Sequence, residues 1–179
     1  ATLNHWNKNI YNNGNFDEGE DIINDFDFEE EDKPLTSRLR SLSSNWDFQS
    51  LKKEDTKYSK LKEAIKKVKE QNINEKIVIF STFISTLNYL SQRLVEDGYN
   101  PTIIHSQIKD RDLKLKEFKS EVHNDILLSS EVGSEGLDLQ FCKTLFNYDL
   151  PWNPMRVEQR IGRVDRLGQK SEYVSIWNF

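Results

Sequence analysis

The chain is poor in cysteine, and this scarcity excludes two classes of small protein. Cys142 is the only cysteine among 179 residues. A single thiol cannot form an internal disulfide, and it cannot supply a cysteine-rich zinc site. Because Cys142 lies in an apolar run, we expect it to be an inert core residue of a protein from a reducing compartment.

Long apolar runs and targeting signals are also lacking. No apolar stretch approaches the roughly 20 residues that a transmembrane helix needs, so no membrane partner is predicted. The N-terminus has no signal-peptide pattern. The expected location is the cytoplasm of a bacterium, or the nucleus if the source is eukaryotic.

The residues of well-known nucleotide and metal sites are missing too. The phosphate-loop pattern G-x-x-x-x-G-K-[ST] does not occur, and no Asp-Glu pair follows an apolar strand where it would hold Mg²⁺. His5, His105 and His123 are scattered without metal-ligand spacing. We therefore predict no metal ligands in this chain.

Acidic residues are concentrated near the N-terminus. Ten carboxylates lie between Asp17 and Asp32, and Lys8 is the one base in residues 1–32, which carry a net charge of −9. Since the whole chain carries −5, residues 33–179 carry +4. We predict that residues 1–50 form an acidic, poorly regular linker or insertion, partly disordered or loosely docked, and that 51–179 form the folded domain. The acidic run suits a solvated linker or a mask over a basic surface.

Helical and strand patterns alternate after residue 55. An amphipathic helix carries Tyr58, Leu61, Ile65 and Val68 on one face, and further helices are predicted at 85–97, at 109–120 and from 154. Short apolar strands are predicted at 76–80, 101–105, 125–128, 144–148 and 173–177. This alternation predicts an α/β domain of three layers, in which helices flank a mainly parallel sheet. Ligands of such sheets meet the loops after the strands, here 81–85, 129–138 and 149–153.

The last predicted helix has two contrasting faces. Asn153 is a capping residue, Pro154 suits the first helical position and Gly168 is a candidate stop. An apolar stripe is formed by Val157, Ile161 and Val164, and a polar row lies about 200° around the helix, at Gln159, Arg163 and Arg166. Such a row is typical of a solvated basic face, and equally of a face that a ligand approaches.

The segment LLSSEVGSEGLDLQ follows the third strand and is rich in small polar residues. Serine hydroxyls can bond phosphate oxygens, glycines allow close approach of the backbone, and Asp138 can accept hydrogen bonds from a ribose. A tight, self-capping loop would use the same residue types. Outward arginines in a chain without its own phosphate loop indicate a partner that carries the nucleotide, as in arginine-finger enzymes.

Four ordered segments carry a resemblance to a known family: KIVIFSTF at 76–83, ILLSSEVGSEGLDLQ at 126–140, DLPWNP at 149–154 and QRIGRVDR at 159–166. Together they resemble the C-terminal RecA-like lobe of superfamily-2 helicases, and especially the Swi/Snf-type branch of DNA translocases with its bacterial members. The resemblance covers roughly residues 55–179. The acidic segment matches no motif of that family.

The resemblance implies roles on the nucleotide side. QRIGRVDR matches motif VI, whose arginines reach the phosphates of an ATP bound on a first lobe, so Arg163 and Arg166 are the arginine-finger candidates. Gln159 and Gly162 would shape that contact. SSEVGSEGLDLQ matches motif V, which couples nucleotide to nucleic acid, and its nucleotide-side residues would be Gly136 and Asp138.

The resemblance also implies contacts with DNA. In motif V, Ser129 and Ser130 would face DNA phosphates. FSTF matches motif IV, which makes Ser81 and Thr82 candidates for the DNA backbone, and the family's WNP segment supplies Trp152 and Asn153. Ser106 is a further candidate, although the family usually has a Gly-Ser or Gly-Thr pair there and this chain has no glycine beside it.

Two functions of different classes remain open from the sequence. The first is the second motor lobe of an ATP-driven translocase of double-stranded DNA, hence half of an ATPase. ATP and Mg²⁺ would be held mainly by a first lobe absent from this chain, and the isolated chain would be inactive. The second is a non-catalytic RecA-like module that docks on nucleic acid or protein. A lobe of an RNA helicase is a lesser alternative, against which the WNP segment and the GQK sequence argue.

Overall fold

The structure is a computed structural model, and it describes residues 50, 52, 54–121 and 124–179. Lys57–Phe179 form one compact unit. The expectation of a loosely ordered acidic segment concerns residues that lie outside the described ranges. The division into 1–50 and 51–179 therefore stays a prediction.

Helices and strands alternate along the described chain. The helices are α1 (Thr56–Gln71), α2 (Ile84–Glu96), α3 (Arg111–Ser120), the four-residue α4 (Glu131–Ser134) and α5 (Pro154–Val164). The strands are β1 (Ile77–Phe80), β2 (Thr102–Ile104), β3 (Ile126–Ser129), β4 (Thr144–Asn147) and β5 (Ser175–Asn178). None of these helices combines the length and apolar character that crossing a bilayer requires.

The five strands form one sheet in the order β2-β3-β1-β4-β5, and every pairing is parallel. The central strand β1 lies between β3 and β4, with Ile77 in register with Ile126 on one side and with Thr144 on the other. The predicted α/β fold with a parallel sheet is confirmed. The loops after β1, β3 and β4 consequently leave the sheet side by side, at its carboxyl edge.

Helices cover both faces of the sheet, because the apolar side chains of each strand point alternately to one face and the other. Ile77 and Ile79 pack under α1 and α2. Val78 and Phe80 pack on the opposite face, against α3, α5 and the loop that contains Cys142. Burial raises the pKa of the Cys142 thiol, which disfavours a reactive thiolate.

A polar cluster attaches α1 to the end of α2. The Tyr58 hydroxyl donates to Asp97 over 2.7 Å, Lys62 pairs with the same carboxylate, and the Arg93 guanidinium lies 4.2 Å from the Tyr58 ring centroid. Burial acts to raise the pKa of Asp97, but the hydrogen bonds from Lys62 and Tyr58 outweigh it and lower that pKa. The cluster therefore favours the ionised Asp97 carboxylate in the folded state.

Two local expectations are wrong. The last helix ends at Val164 rather than at Gly168, because the backbone of Asp165 leaves the helical conformation, and the Gln169 side-chain amide then donates to the Val164 carbonyl. Arg166 therefore lies in the turn after α5 and does not continue a helical row. The segment after β3 was expected to be a loop, but it contains α4, whose start is capped by the Ser130 hydroxyl.

Candidate functional site

Arg160 occupies the centre of the carboxyl edge and is 2% exposed. Its Nε donates to Glu131 Oε1 over 2.9 Å, and its Nη1 donates to Asn147 Oδ1 over 3.0 Å and to the Asp149 carbonyl over 2.7 Å. Its Nη2 lies 2.8 Å from Glu131 Oε1 and 3.3 Å from Thr82 Oγ1. Four hydrogen bonds and the ion pair with Glu131 therefore compensate the burial of the guanidinium.

The acceptors of Arg160 come from all three loops that the sequence selected. Thr82 follows β1, Glu131 follows β3 and Asp149 follows β4. Because these strands are neighbours in the sheet, one side chain from α5 can reach all three loops. The loops thus form a single site, held together by a buried ion cluster.

The Asp149 carboxylate accepts three hydrogen bonds from the loop after β1. The Thr82 backbone N–H donates to Asp149 Oδ1 over 2.9 Å, and the Thr82 hydroxyl donates to the same oxygen over 2.8 Å. The Ser81 hydroxyl donates to Oδ2. Three donors that converge on one carboxylate are the arrangement that also binds a phosphate oxygen. In this structure the chain's own carboxylate occupies that arrangement.

The short helix α4 is fixed from several sides. Arg156 and Arg160 both pair with Glu131 at its start. Arg111 Nη1 donates to the Val132 carbonyl over 3.1 Å and to the Gly133 carbonyl over 3.3 Å. A β-carbon on Gly133 would lie 2.5 Å from the Cα of His105, so α4 lies in backbone contact with the end of β2.

The two arginine-finger candidates are arranged quite differently from Arg160. Arg163 is half-buried on α5 and Arg166 is exposed in the following turn. Among the described residues, neither guanidinium has a hydrogen-bond or ion-pair partner. Gln159 is likewise exposed on α5. Of the three arginines within residues 160–166, one is therefore bonded inside the domain, and the guanidinium groups of the other two have no partner among the described residues.

The remaining ATP-site candidates lie beside Arg163. The Leu139 N–H donates to the Arg163 carbonyl over 3.2 Å, which joins the end of the motif V segment to α5. Gly136 adopts φ +77° and Asp138 is exposed in that segment. Gly162 is exposed, and a β-carbon there would meet nothing within 4 Å. These residues border an open surface that could accept an approaching ligand.

The structure divides the DNA-contact candidates by exposure. Trp152 is 100% exposed and Ser106 is half-exposed. The Asn153 side chain caps α5 by accepting from the Met155 N–H over 3.0 Å. The Ser129 and Ser130 hydroxyls are buried, the first donating to the Ser130 carbonyl and the second capping α4. Assignment of these residues to DNA stays a prediction.

Four residues of the site were not predicted from the sequence: Arg111, Glu131, Asp149 and Arg160. A signal for Arg160 was available. It stands three residues after Val157 and four before Val164, which places it on the apolar stripe of α5 and not on the polar row. A basic residue on the buried face of a helix needs acidic partners. Which carboxylates those are depends on the strand order, which the sequence does not state.

Among the described residues, no group of His, Cys, Asp and Glu side chains is arranged to hold a metal ion. The carboxylates of the carboxyl edge, Glu131 and Asp149, are instead engaged by arginines. The site of this chain therefore does not fit a resident metal ion.

Comparison with known proteins identifies the domain. The family model described as helicase conserved C-terminal domain matches residues 56–168. The uncharacterized ATP-dependent helicase YqhH of Bacillus subtilis (strain 168) is 38% identical over 125 residues, which are 69% of this chain and 22% of that protein. RNA polymerase-associated protein RapA of Vibrio campbellii is 35% identical over 147 residues, 78% of this chain and 15% of that protein. The chain thus spans less than a quarter of the length of these relatives.

Solved structures agree with this assignment. The C-terminal part of the Fun30 ATPase domain superposes with a TM-score of 0.62 and 28% identity, over 68% of this chain and 39% of that chain. Domain 2 of the DEAD-box helicase Mss116p, solved with an RNA duplex, gives a TM-score of 0.56 at 23% identity, over 69% and 49% of the two chains, and shares the fold. The chain belongs to the helicase conserved C-terminal domain family, as the C-terminal RecA-like lobe of a superfamily-2 helicase of the bacterial Swi/Snf type.

Proposed function

We propose that this domain is the second motor lobe of an ATP-driven translocase of double-stranded DNA, and that Arg163 and Arg166 are its arginine fingers. The observation that carries the proposal is the contrast among the three arginines of QRIGRVDR. Arg160 donates four hydrogen bonds inside the domain and pairs with Glu131, whereas the guanidinium groups of Arg163 and Arg166 have no partner among the described residues. Guanidinium groups without a partner are available to an anion from outside the domain.

The nucleotide would be bound by a first lobe and approached by this one. ATP supplies the phosphoryl group that is hydrolysed, and Mg²⁺ belongs to the first lobe, since the described residues offer no site for it. When the lobes close, Arg163 and Arg166 donate hydrogen bonds to oxygens on which negative charge develops. Gln159 and the bare surface at Gly162 border that contact, and Gly136 and Asp138 line its other side.

Contacts with DNA would come from the same edge of the sheet. Thr82, Ser106, Trp152 and Asn153 lie at or near the surface there, and we assign them to the DNA backbone. The buried hydroxyls of Ser81, Ser129 and Ser130 support that surface from within in this structure, and a direct bond to DNA would require them to change partners. Backbone contacts of this kind carry no sequence preference and weaken as salt rises.

The test uses the intact protein with its first lobe. Arg163→Ala should lower the DNA-stimulated rate of ATP hydrolysis by about 10³-fold or more, because a transition-state clamp is lost. Binding of duplex DNA should stay within about twofold, since the guanidinium is assigned to ATP and not to DNA. Lys170→Ala removes an exposed cation close to the same turn and is the matched control, which should turn over normally.

Turnover by Arg163→Ala at the wild-type rate would refute the finger assignment. Absence of DNA-stimulated ATP hydrolysis by the intact wild-type protein would favour the alternative of a non-catalytic docking module. Purified 179-residue chain should show no DNA-stimulated hydrolysis of ATP, and measurable turnover by it would show that the site is not shared between lobes. Stimulation by duplex RNA in place of duplex DNA would assign the protein to the RNA-helicase alternative.

A further inference from the structure

We propose that Arg160 is a positioning residue that links the DNA-facing loops of this lobe to the helix that carries the arginine fingers. This inference rests on the proposed function, because it assigns to Arg160 the coupling of DNA contact to ATP turnover. Arg160 touches neither ligand in this scheme. It acts through Thr82 and Asp149 on one side and through α5 on the other.

The first step is the direct contact of Arg160 with the loops after β1 and β4. Its Nη1 holds the Asp149 carbonyl at 2.7 Å, and its Nη2 lies 3.3 Å from the Thr82 hydroxyl oxygen and 3.6 Å from Asp149 Oδ1. A guanidinium is a planar fork with fixed donor directions. A shift of Asp149 must therefore turn or displace the Arg160 side chain.

The second step connects these contacts to the surface of the domain that is assigned to DNA. The Ser81 hydroxyl, the Thr82 N–H and the Thr82 hydroxyl all donate to Asp149. A phosphate oxygen that contacts Thr82 competes for the same donors as the Asp149 carboxylate. Contact with the DNA backbone at this loop therefore weakens or reorients the hydrogen bonds from the loop to Asp149. The contacts between Asp149 and Arg160 change as a result.

The third step leads to the fingers. Arg163 lies three residues after Arg160 on α5, which is one turn of helix and a rise of about 4.5 Å. The Arg163 carbonyl accepts from the Leu139 N–H, so the position of α5 is also set by the motif V segment, which begins at Ser129 and includes Glu131. Glu131 is the other partner of Arg160. One buried side chain on the helix that carries Arg163 therefore contacts the segments that follow β1, β3 and β4.

Charge balance explains why the link is stiff. Arg156 and Arg160 face Glu131 and Asp149, two cations and two carboxylates. Arg160 is the buried member of this set, and removal of its carboxylate partners would leave its charge unpaired, so the native arrangement resists partial rupture. The elements respond as a unit, which is the property a coupling device needs.

The test separates coupling from binding and from chemistry. In the intact protein, Arg160→Lys keeps the charge but has three donors and no fork. We expect the ratio of DNA-stimulated to DNA-independent ATP hydrolysis, measured at saturating duplex DNA, to fall by about tenfold. The KM for ATP and the DNA concentration at half-stimulation should stay near wild type, because Arg160 contacts neither ligand. The matched control is Arg93→Lys, the same change to a half-buried arginine near the end of α2 and away from the carboxyl edge, which should keep full stimulation.

A second variant keeps the proposal falsifiable if Arg160→Lys does not fold. Asp149→Asn retains the side-chain shape and the carbonyl that Arg160 holds, but it removes the charge that the Thr82 donors and Arg160 share. It should lose stimulation in the same way. In the 179-residue chain, the Leu139 amide hydrogen, on the finger side, should exchange faster in Asp149→Asn than in wild type. A role confined to local stability would leave that distant amide unchanged.

The outcomes distinguish this inference from the proposed function. If Arg163→Ala abolishes turnover while soluble Arg160→Lys or Asp149→Asn keeps full stimulation, the coupling role is overturned and the finger assignment stands. If Arg163→Ala turns over normally, the proposed function itself fails. Loss of stimulation in both Arg160→Lys and Asp149→Asn supports the link, provided that the KM for ATP is unchanged in both and the DNA concentration at half-stimulation is unchanged in Arg160→Lys.

Discussion

Gly133 and His105 are in backbone contact: a β-carbon on Gly133 would lie 2.5 Å from the His105 Cα and 2.6 Å from the Ile104 carbonyl oxygen. Both neighbours are main-chain atoms of β2 and the residue after it, so they cannot rotate away as a side chain can. The short helix after β3 is therefore pressed against β2. Glycine at position 133 is required by space and not by an unusual φ angle.

Gly133→Ala should destabilise the isolated chain by about 3 kcal/mol, the upper end of the range for overpacking, because backbone must move to admit the methyl group. Urea unfolding followed by circular dichroism measures the change. The helix that starts at Glu131 should also lose its contacts with Arg111 and Arg160. An unfolding midpoint equal to that of the wild type would contradict the close approach.

Gly162→Ala should have the opposite effect on stability. A β-carbon there meets nothing within 4 Å, and alanine is favoured over glycine inside a helix by about 1 kcal/mol. The isolated chain should therefore become slightly more stable, in the same urea titration. In the intact protein the same substitution should slow ATP turnover, since the added methyl group lies where the first lobe is expected to approach. A stable variant with full turnover would show that nothing comes close to this surface.

Trp152→Ala should weaken the binding of duplex DNA by the intact protein by about 1 kcal/mol, the typical net contribution of one hydrogen bond, here from the indole N–H to a backbone phosphate. The side chain is 100% exposed, so its loss should leave the unfolding midpoint unchanged. Fluorescence anisotropy of a labelled duplex measures the affinity. Tyr173→Ala removes another exposed aromatic residue, ahead of β5, and serves as the control that should bind normally.

Asp97→Asn should change the acid sensitivity of the fold. Because the folded state lowers the pKa of Asp97, its carboxylate contributes stability that is fully present above the unfolded carboxyl pKa of about 4. That contribution is lost as the pH falls through the lower folded value. The variant should be less stable than wild type at neutral pH, and the difference should shrink below about pH 4. Thermal unfolding between pH 3 and pH 7, with Glu172→Gln as an exposed carboxylate control, measures it.

Local sequence patterns predicted most of the fold because the spacing of apolar residues reflects which side of a helix or strand is buried. The β-branched run Ile77–Phe80 is buried on both faces in β1, as its continuous apolar character indicated. Tyr58, Leu61, Ile65 and Val68 all lie in the core, as their helical spacing indicated. The three loops after β1, β3 and β4 were identified as sites because the carboxyl edge of a parallel sheet follows from the alternation of elements.

The centre of the site was missed because it depends on relations between distant elements. In the sequence, Arg160 resembles the other arginines of a basic helix. Only the strand order shows that Thr82, Glu131 and Asp149 surround it. The end of α5 was placed too late because Gly168 resembled a stop, whereas the helix ends at Val164 and the Gln169 side chain donates to its last carbonyl, a bond that spacing does not reveal. Both errors concern side chains that act across a turn or across the sheet.

The strand order also has a consequence for how the domain acquires its structure. The hydrogen bond between Arg160 and Thr82 joins residues 78 positions apart, and the central strand pairs with two strands that are both remote in sequence. Parallel pairings of this kind impose a high contact order, and they form late because long segments of chain must first be closed. The ion cluster at the carboxyl edge can therefore assemble only after the sheet is complete. Refolding experiments should find this edge, rather than the helices on either face, among the last parts to gain protection from hydrogen exchange.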